Sequence, residues 1–552
     1  MSGRIPYGSE GVATRAPPLR RVDLCVAGVL VGAAIVPLWV GRWLPFLDLP
    51  QHLGLAAIVS RLGDPAAGYQ RWYALGPLVT PYWGYLAPMR LLAAALPIEI
   101  ASKVLLSLYA AAIPLAAGWV LRGFGRDPRW AVFTLPLVYN TNVFFGFASF
   151  VVSIPVFLVA LGLTDRYLSS DRPSGGATAA VAAAAAITFL CHAQTYLLYG
   201  LCAMVLAAIH ARRGKWIARG LAFLPSVVLF AAWAVPAFLV HGGPRPVAHT
   251  VHYQTYGSLR HLGARYEPLG EILSRIPERT VGSFNDGSDQ VLAGAALVAL
   301  LLAVALAHGD GSDRGRGGRA AIAARRGELL TIVVLASYLL LPMEVAGQWY
   351  LAPRYLVFAA LLAPSFVRGP VTGRGLLLSG AAVIGILSLA NVAEKIRAFQ
   401  GQVGPYERIE AVLEPGGRVL GLPFDNGSLG PVRQWPFLHW AAYYQVHPGG
   451  DVGFSFAGLP SIPVTYLPGA QAPHPYEWRP DQFDWDSMGS HYDYFLVRGV
   501  PGGAGGRALE AHAVVIRRAG EWSLWTPRES TGKRSARAPR QAPGATPRGM
   551  GP

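Results

Sequence analysis

Apolar runs of membrane-spanning length recur along this chain from residue 22 to residue 393, separated by short polar links. About twenty apolar residues carry a helix across a bilayer. The pattern predicts about eleven such spans, near residues 22–40, 98–121, 130–147, 149–166, 177–192, 194–210, 217–240, 290–308, 328–345, 355–367 and 375–393. Arginines mark alternate exits. Arg122, Arg126 and Arg129 follow the second run, and Arg166 and Arg172 the fourth. Arg212, Arg213, Lys215 and Arg219 follow the sixth, Arg314, Arg316, Arg319, Arg325 and Arg326 the eighth, and Arg368 and Arg374 the tenth. Basic residues gather on the cytoplasmic side. With Arg15, Arg20 and Arg21 ahead of the first run, the N-terminus reads as inside and the C-terminus as outside. Residues 41–97, 241–289, the link 343–353 and everything beyond 399 then face outward.

The pattern changes in two places. In the first outward loop, residues 53–62 predict an amphipathic helix lying on the membrane. There too, Pro81-Tyr82-Trp83 opens a second short apolar helix, 84–96, interrupted by Arg90. Beyond residue 399 the long runs stop. Residues 406–413 predict a helix ending at Pro415-Gly416-Gly417, and residues 418–422 and 494–497 predict strands. Residues 513–517 and 522–525 predict a hairpin around Ala519-Gly520. The expected organisation is a cytoplasmic segment 1–21, a membrane domain 22–399, a small extracytoplasmic α/β domain 400–528 and a disordered basic tail 529–552. No internal repeat is visible.

Composition strengthens this picture. Of the 552 residues 53% are hydrophobic and 14% charged, with mean hydropathy +0.36; soluble domains carry about 25% charge. A net charge of +16 resembles a nucleic-acid signal. Its arginines, however, lie in short loops and in the tail, where they set orientation and attract anionic lipid. Nucleic acid is therefore excluded as a partner. Cys25, Cys191 and Cys202 lie in apolar segments without metal-ligand spacing and read as small hydrophobes. Residues 1–20 lack an apolar core, so the first run reads as an uncleaved anchor of the cell (inner) membrane. No Walker, Rossmann, zinc-protease or serine-hydrolase signature occurs.

The polar residues left near membrane edges carry the candidate chemistry. Asp48 stands just past the first run in Phe46-Leu47-Asp48-Leu49-Pro50-Gln51-His52, ahead of a proline suited to a helix start. It reads as a helix cap accepting the amides of Gln51 or His52, or as a general base. His52 lies one turn on, placed to orient Asp48, hold a phosphate or share a divalent metal with it. His192 and Gln194 fall where the fifth run emerges, and a histidine there is costly unless it lines a cavity. Asn140 and Asn142 interrupt the third run, as helix cross-links or, for Asn140, as a substrate contact. Glu344 and Arg354 bracket the link 344–354, either as an ion pair or with Arg354 receiving a lipid phosphate. His249, His252, Arg260, His261 and Arg265 form a basic outward cluster. In the C-terminal domain Asp425, His439, Asp451 and the acidic residues of 481–486 are candidates for sugar contacts. Trp435, Trp440, Tyr443 and Tyr444 are either sugar platforms or core.

An inward N-terminus, an acidic residue in the first outward loop, interfacial helices, many further spans and an outward C-terminal domain together resemble the GT-C superfamily of integral membrane glycosyltransferases. The resemblance implies a sugar donor linked to polyprenyl phosphate. It implies a lipid, glycan or protein acceptor of the cell envelope, with Asp48 as the first-loop catalytic acid that deprotonates an acceptor hydroxyl or helps hold a metal, and transfer with inversion. It likens Pro81-Tyr82-Trp83 to the family's second interfacial element, and residues 344–354 to its late loop at the lipid phosphate. A transporter or flippase, or a non-catalytic scaffold, would use the same polar residues differently, although transporters usually carry repeats.

Overall fold

The computed structural model describes residues 18–210, 216–236, 263–308, 318–345, 348–459 and 462–528. The tail from 529, the histidines at 249, 252 and 261, and the arginines at 15, 212, 213, 260, 314 and 316 lie outside them, as does Lys215. Among the described residues five helices are long and apolar enough to cross a membrane: Arg21–Trp39, Ile98–Gly123, Ala148–Ser169, Ser288–Ala305 and Arg374–Val403. Shorter apolar helices, Gly175–Cys191, Ala193–Ile209, Ala218–Ala234 and Ala352–Phe366, pack among them with Arg326–Leu340. Leu108, Leu115, Ile187, Leu197, Met204 and Leu301 stand exposed on the outside of this bundle. An apolar exterior of that extent suits lipid rather than water, and the chain is a polytopic helical membrane protein.

The third predicted span departs from the pattern. Residues 130–147 form a 3-10 helix, Pro128–Leu137, then a break and the single turn Thr141–Phe144. Pro136, inside this segment, lacks the amide that an α-helical ladder needs there, whereas Pro128 stands in the first turn, where no amide is required. Asn140 then caps the new turn by accepting the Asn142 amide at 3.1 Å.

The first loop also differs from expectation. Its helix Leu49–Arg61 does not lie on a membrane surface, because every residue from Leu49 to Val59 is buried. The C-terminal domain covers it. Gln51 Nε2 donates to the Phe454 carbonyl at 2.9 Å, and the Phe456 amide donates back to Gln51 Oε1 at 3.1 Å. Strand Tyr73–Leu75 pairs antiparallel with Val464–Tyr466. The buried Asp451 ties both parts together, accepting from Tyr73 Oη at 2.5 Å and Arg418 Nε at 2.6 Å. The second short helix is Trp83–Ala93, with Arg90 exposed.

The last long helix, Arg374–Val403, runs past residue 400 and ends at Gly404, so the C-terminal domain begins slightly later than expected. Its five-stranded sheet places Gly417–Pro423 between Gly450–Val452 and Tyr494–Arg498, both parallel to it. The antiparallel hairpin of Ala513–Ala519 and Trp522–Pro527 completes the sheet beside Tyr494–Arg498. The predicted helix 406–413 shrinks to the turn Glu407–Glu410. Trp440, Tyr443 and Tyr444 are at most 2% exposed and belong to the core. At about 25 cal/mol per Å² over the roughly 150–250 Å² of an aromatic side chain, each contributes on the order of 4 kcal/mol.

Candidate functional site

Asp48 occupies the cap position of helix Leu49–Arg61, with a proline in the first turn, yet its side chain accepts no amide. The carboxylate turns instead toward the C-terminal domain, where Asp48 Oδ1 lies 3.0 Å from His439 Nδ1. Both side chains are largely buried, at 13% and 6% exposure. The contact has the distance of an ion pair without hydrogen-bond alignment, and both ring nitrogens of His439 lack a hydrogen-bond partner. The Asp48 backbone is clamped by the broken third span. The Leu47 and Asp48 amides donate to the Phe144 and Phe145 carbonyls at 3.0 and 3.1 Å. Gly146 closes that turn at φ +73°, where a Cβ would stand 2.5 Å from the Asp48 nitrogen. Only glycine satisfies both the angle and the approach.

His192 lies in the extended joint (φ −165°) between Gly175–Cys191 and Ala193–Ile209. Gly84 makes this arrangement possible, because a Cβ there would overlap Cys191. The Tyr82 and His192 rings consequently meet, with centroids 6.1 Å apart. Phe150 joins the next pair, its ring 5.2 Å from His192 and 5.7 Å from the Arg354 guanidinium. That guanidinium also lies 4.2 Å over Phe147, and its Nη1 donates to Gln194 Oε1 at 3.4 Å. Gln194 is held in turn by the Leu351 carbonyl at 2.5 Å. His192 Nδ1 and Arg354 Nε are buried without a hydrogen-bond partner. His192, Gln194 and Arg354 are thus joined through Tyr82, Phe147 and Phe150, and Asp48 lies within electrostatic range of the Arg354 guanidinium.

His52 completes the floor, its ring against Tyr85 and Phe456 at 5.6 and 5.5 Å. Burial pushes its pKa down to about 4 against the opposing pull of Asp48, so the imidazole is neutral at pH 7. It packs the site and carries no charge there.

Two predicted residues lie apart from this cluster. Glu344 sits in a three-stranded ribbon with Ala264–Arg265 and Gln348–Trp349, its Oε2 3.4 Å from Arg265 Nη2. Its ionic partner is thus Arg265, not Arg354. Asn140 is fully buried, and its amide is consumed by Tyr109, the Leu137 carbonyl and Asn142. Of the C-terminal candidates, Asp425 pairs with Arg498, Asp451 with Arg418 and Asp481 with Arg479, while Asp484 caps the turn Trp485–Met488. Trp435 alone of the four aromatic candidates stays partly exposed. It packs against Trp478 at 4.7 Å, in a cluster that includes Leu47 and Tyr350.

Tyr82 and Tyr350 carry no polar pattern that singles them out in sequence. Both Tyr350 (φ +63°) and Trp435 (φ +46°) hold left-handed backbone. Such strain costs on the order of 1–3 kcal/mol and collects at functional sites. Among the described residues no three His, Cys, Asp or Glu side chains converge as a set that could hold a metal ion.

No protein-family model matches the chain, and no curated protein does either. Solved structures do. ArnT from Cupriavidus metallidurans bound to undecaprenyl phosphate aligns with a TM-score of 0.52 at 13% identity, over 91% of this chain and 97% of its own. The same protein in the apo state gives 0.52 at 14%, over 91% and 98%. Arabinofuranosyltransferase AftD from Mycobacteria aligns at 0.49 and 14%, over 93% of this chain and 40% of its own. The likeness to ArnT over nearly the whole of both chains is one of fold.

Proposed function

We propose that this protein is a membrane glycosyltransferase that moves a sugar from a polyprenyl-phosphate-linked donor to a cell-envelope hydroxyl on the outer face of the membrane. The observation that carries the reading is a buried carboxylate, Asp48, that makes no capping bond and lies 3.0 Å from His439, on the same side as Arg354, an arginine without a carboxylate partner among the described residues. The ArnT fold, with undecaprenyl phosphate bound to that protein, supports the donor class.

In this reading Asp48 accepts the proton of the acceptor hydroxyl, as a general base at hydrogen-bond reach does. The oxygen attacks the anomeric carbon, and the bond from that carbon to the phosphate oxygen breaks on the opposite face, with inversion. Arg354 meets the charge that grows on the departing phosphate. Its planar guanidinium suits that geometry, and Gln194 and Phe147 hold it in place. His192 presents its free nitrogen to the same phosphate. His439 orients the Asp48 carboxylate from the acceptor side, and Trp435 stacks on an acceptor sugar ring. Glu344 and Asn140 serve structure.

The test is direct. Purified protein supplied with polyprenyl-phosphate sugars transfers label to an envelope fraction, and Arg354→Gln weakens polyprenyl-phosphate binding by about tenfold or more. Unaltered binding and transfer by Arg354→Gln would remove the donor assignment.

A further inference from the structure

At the far end of the helix that Asp48 begins lies a second polar cavity, of about 480 Å³. Helix Leu49–Arg61 has 13 residues, which at 1.5 Å per residue separates the two places by roughly 20 Å. The cavity forms where this helix, helix Trp83–Ala93, the start of helix Ile98–Gly123 and the C-terminal domain meet. Ser60, Arg61, Arg90, Glu99 and His447 supply its polar lining.

Hydrogen-bond donors exceed acceptors there. Ser60 Oγ and Arg61 Nε are buried with no partner. The other Arg61 nitrogens are spent on the Gln445, Val446 and His447 carbonyls and on Tyr69, all uncharged. The one acidic side chain lining the cavity, Glu99, has its Oε2 3.0 Å from His447 Nε2, while its Oε1, 3.7 Å from Arg42 Nε, is buried without a hydrogen-bond partner. Arg61 and Arg90 remain without a carboxylate among the described residues. The long helix adds its positive end: Pro97 offers no side-chain cap, and Ile98 and Glu99 line the cavity. Buried donors without acceptors call for a ligand that brings acceptors.

We infer that this cavity binds a phosphate ester, with Ser60, Arg61 and Arg90 as its donors, taken from an anionic lipid head group at the membrane surface or from a free phosphate. Such a ligand would supply acceptor oxygens to the Ser60 hydroxyl and Arg61 Nε and offset the two uncompensated guanidinium charges. The site is separate from Asp48 and needs no transfer chemistry.

Calorimetric titration of the full chain in detergent tests it, with inorganic phosphate, dihexanoyl phosphatidylglycerol and dihexanoyl phosphatidylcholine as probes. Saturable binding of phosphatidylglycerol is expected, with the zwitterionic lipid at least tenfold weaker. Competition by inorganic phosphate would assign the site to phosphate as such, and its absence to the lipid head group. Arg90→Gln, at an exposed position, and Ser60→Ala should each weaken binding about tenfold, while Asp48→Asn leaves it unchanged. No saturable binding, equal affinity in Arg90→Gln and Ser60→Ala, or loss in Asp48→Asn would overturn the inference.

Discussion

The two ends of the helix bundle hold similar buried polar side chains and treat them in opposite ways. At the end marked by Gly123 and Ser169, charges are paired. Arg126 meets Glu328 at 2.7 Å and also donates to the Ser365 and Ala324 carbonyls. Asp165 takes both Arg326 and His210, and Arg129 lies between Asp23 and Asp127. At the Asp48 end, Arg354 meets aromatic rings and one amide oxygen, while His192 and His439 keep ring nitrogens unpartnered. A buried charge left without an opposite charge costs several kcal/mol. The paired end spends its polar groups on cohesion. The Asp48 end keeps them available, which is what a site that must bind and react requires.

That contrast can be broken most forcefully at the paired end. Glu328→Ala leaves Arg126 buried without its carboxylate, with an expected cost of about 3–5 kcal/mol, seen as a large fall in thermal unfolding temperature or loss of folded protein. Arg354→Gln should do the reverse, leaving unfolding nearly unchanged while transfer falls by about 10²–10³. If the two variants behave alike, the distinction between the ends is lost. Gly146→Ala tests the link between them and the broken third span. Strain at φ +73° and the overlap with the Asp48 nitrogen should cost about 1–3 kcal/mol and also displace the carboxylate, lowering both stability and transfer.

Much of this layout is legible in sequence, for identifiable reasons. Long apolar runs declare helices, because a bilayer demands that length. Asp48 is conspicuous as an acid placed just past one of them. The hairpin turning at Gly520 (φ +60°) follows from its dipeptide. Other features depend on contacts between distant segments, which periodicity does not encode. His439 reaches Asp48 only because the C-terminal domain folds over the first loop. The same cover buries the helix expected to lie on the membrane. Nearness along the chain suggests Arg354 as a partner for Glu344, whereas Arg265 reaches it across the strand ribbon. The change of the third run to a 3-10 helix and a single turn is not legible in its apolar count, which hides the effect of Pro136.

Smaller effects sharpen the comparison within the half that holds Asp48. Trp435→Ala should raise the acceptor KM about five- to tenfold, the value of one aromatic contact, and leave donor binding unchanged. Unchanged acceptor KM would remove Trp435 from the acceptor side. His447 supplies a pH signature. Burial opposes its charge, but Glu410 and Glu99 outweigh burial and hold its pKa up at about 9, above the ordinary 6.5. A raised pKa stabilises the fold fully below pH 6.5, and that contribution is lost as pH rises through 9. Unfolding temperature should therefore decline over this window, and His447→Gln should flatten the decline. A decline of the same size in His447→Gln would assign it to other groups.

The central claim is that Asp48 is the base. Its most direct test is the single-turnover rate of sugar transfer from a polyprenyl-phosphate donor by Asp48→Asn, against the parent at equal amounts of folded protein. A shape-conserving change that removes the proton acceptor should lower the rate by about 10²–10⁴ and leave polyprenyl-phosphate affinity and unfolding temperature close to the parent's. Transfer by Asp48→Asn at the parent's rate would contradict it.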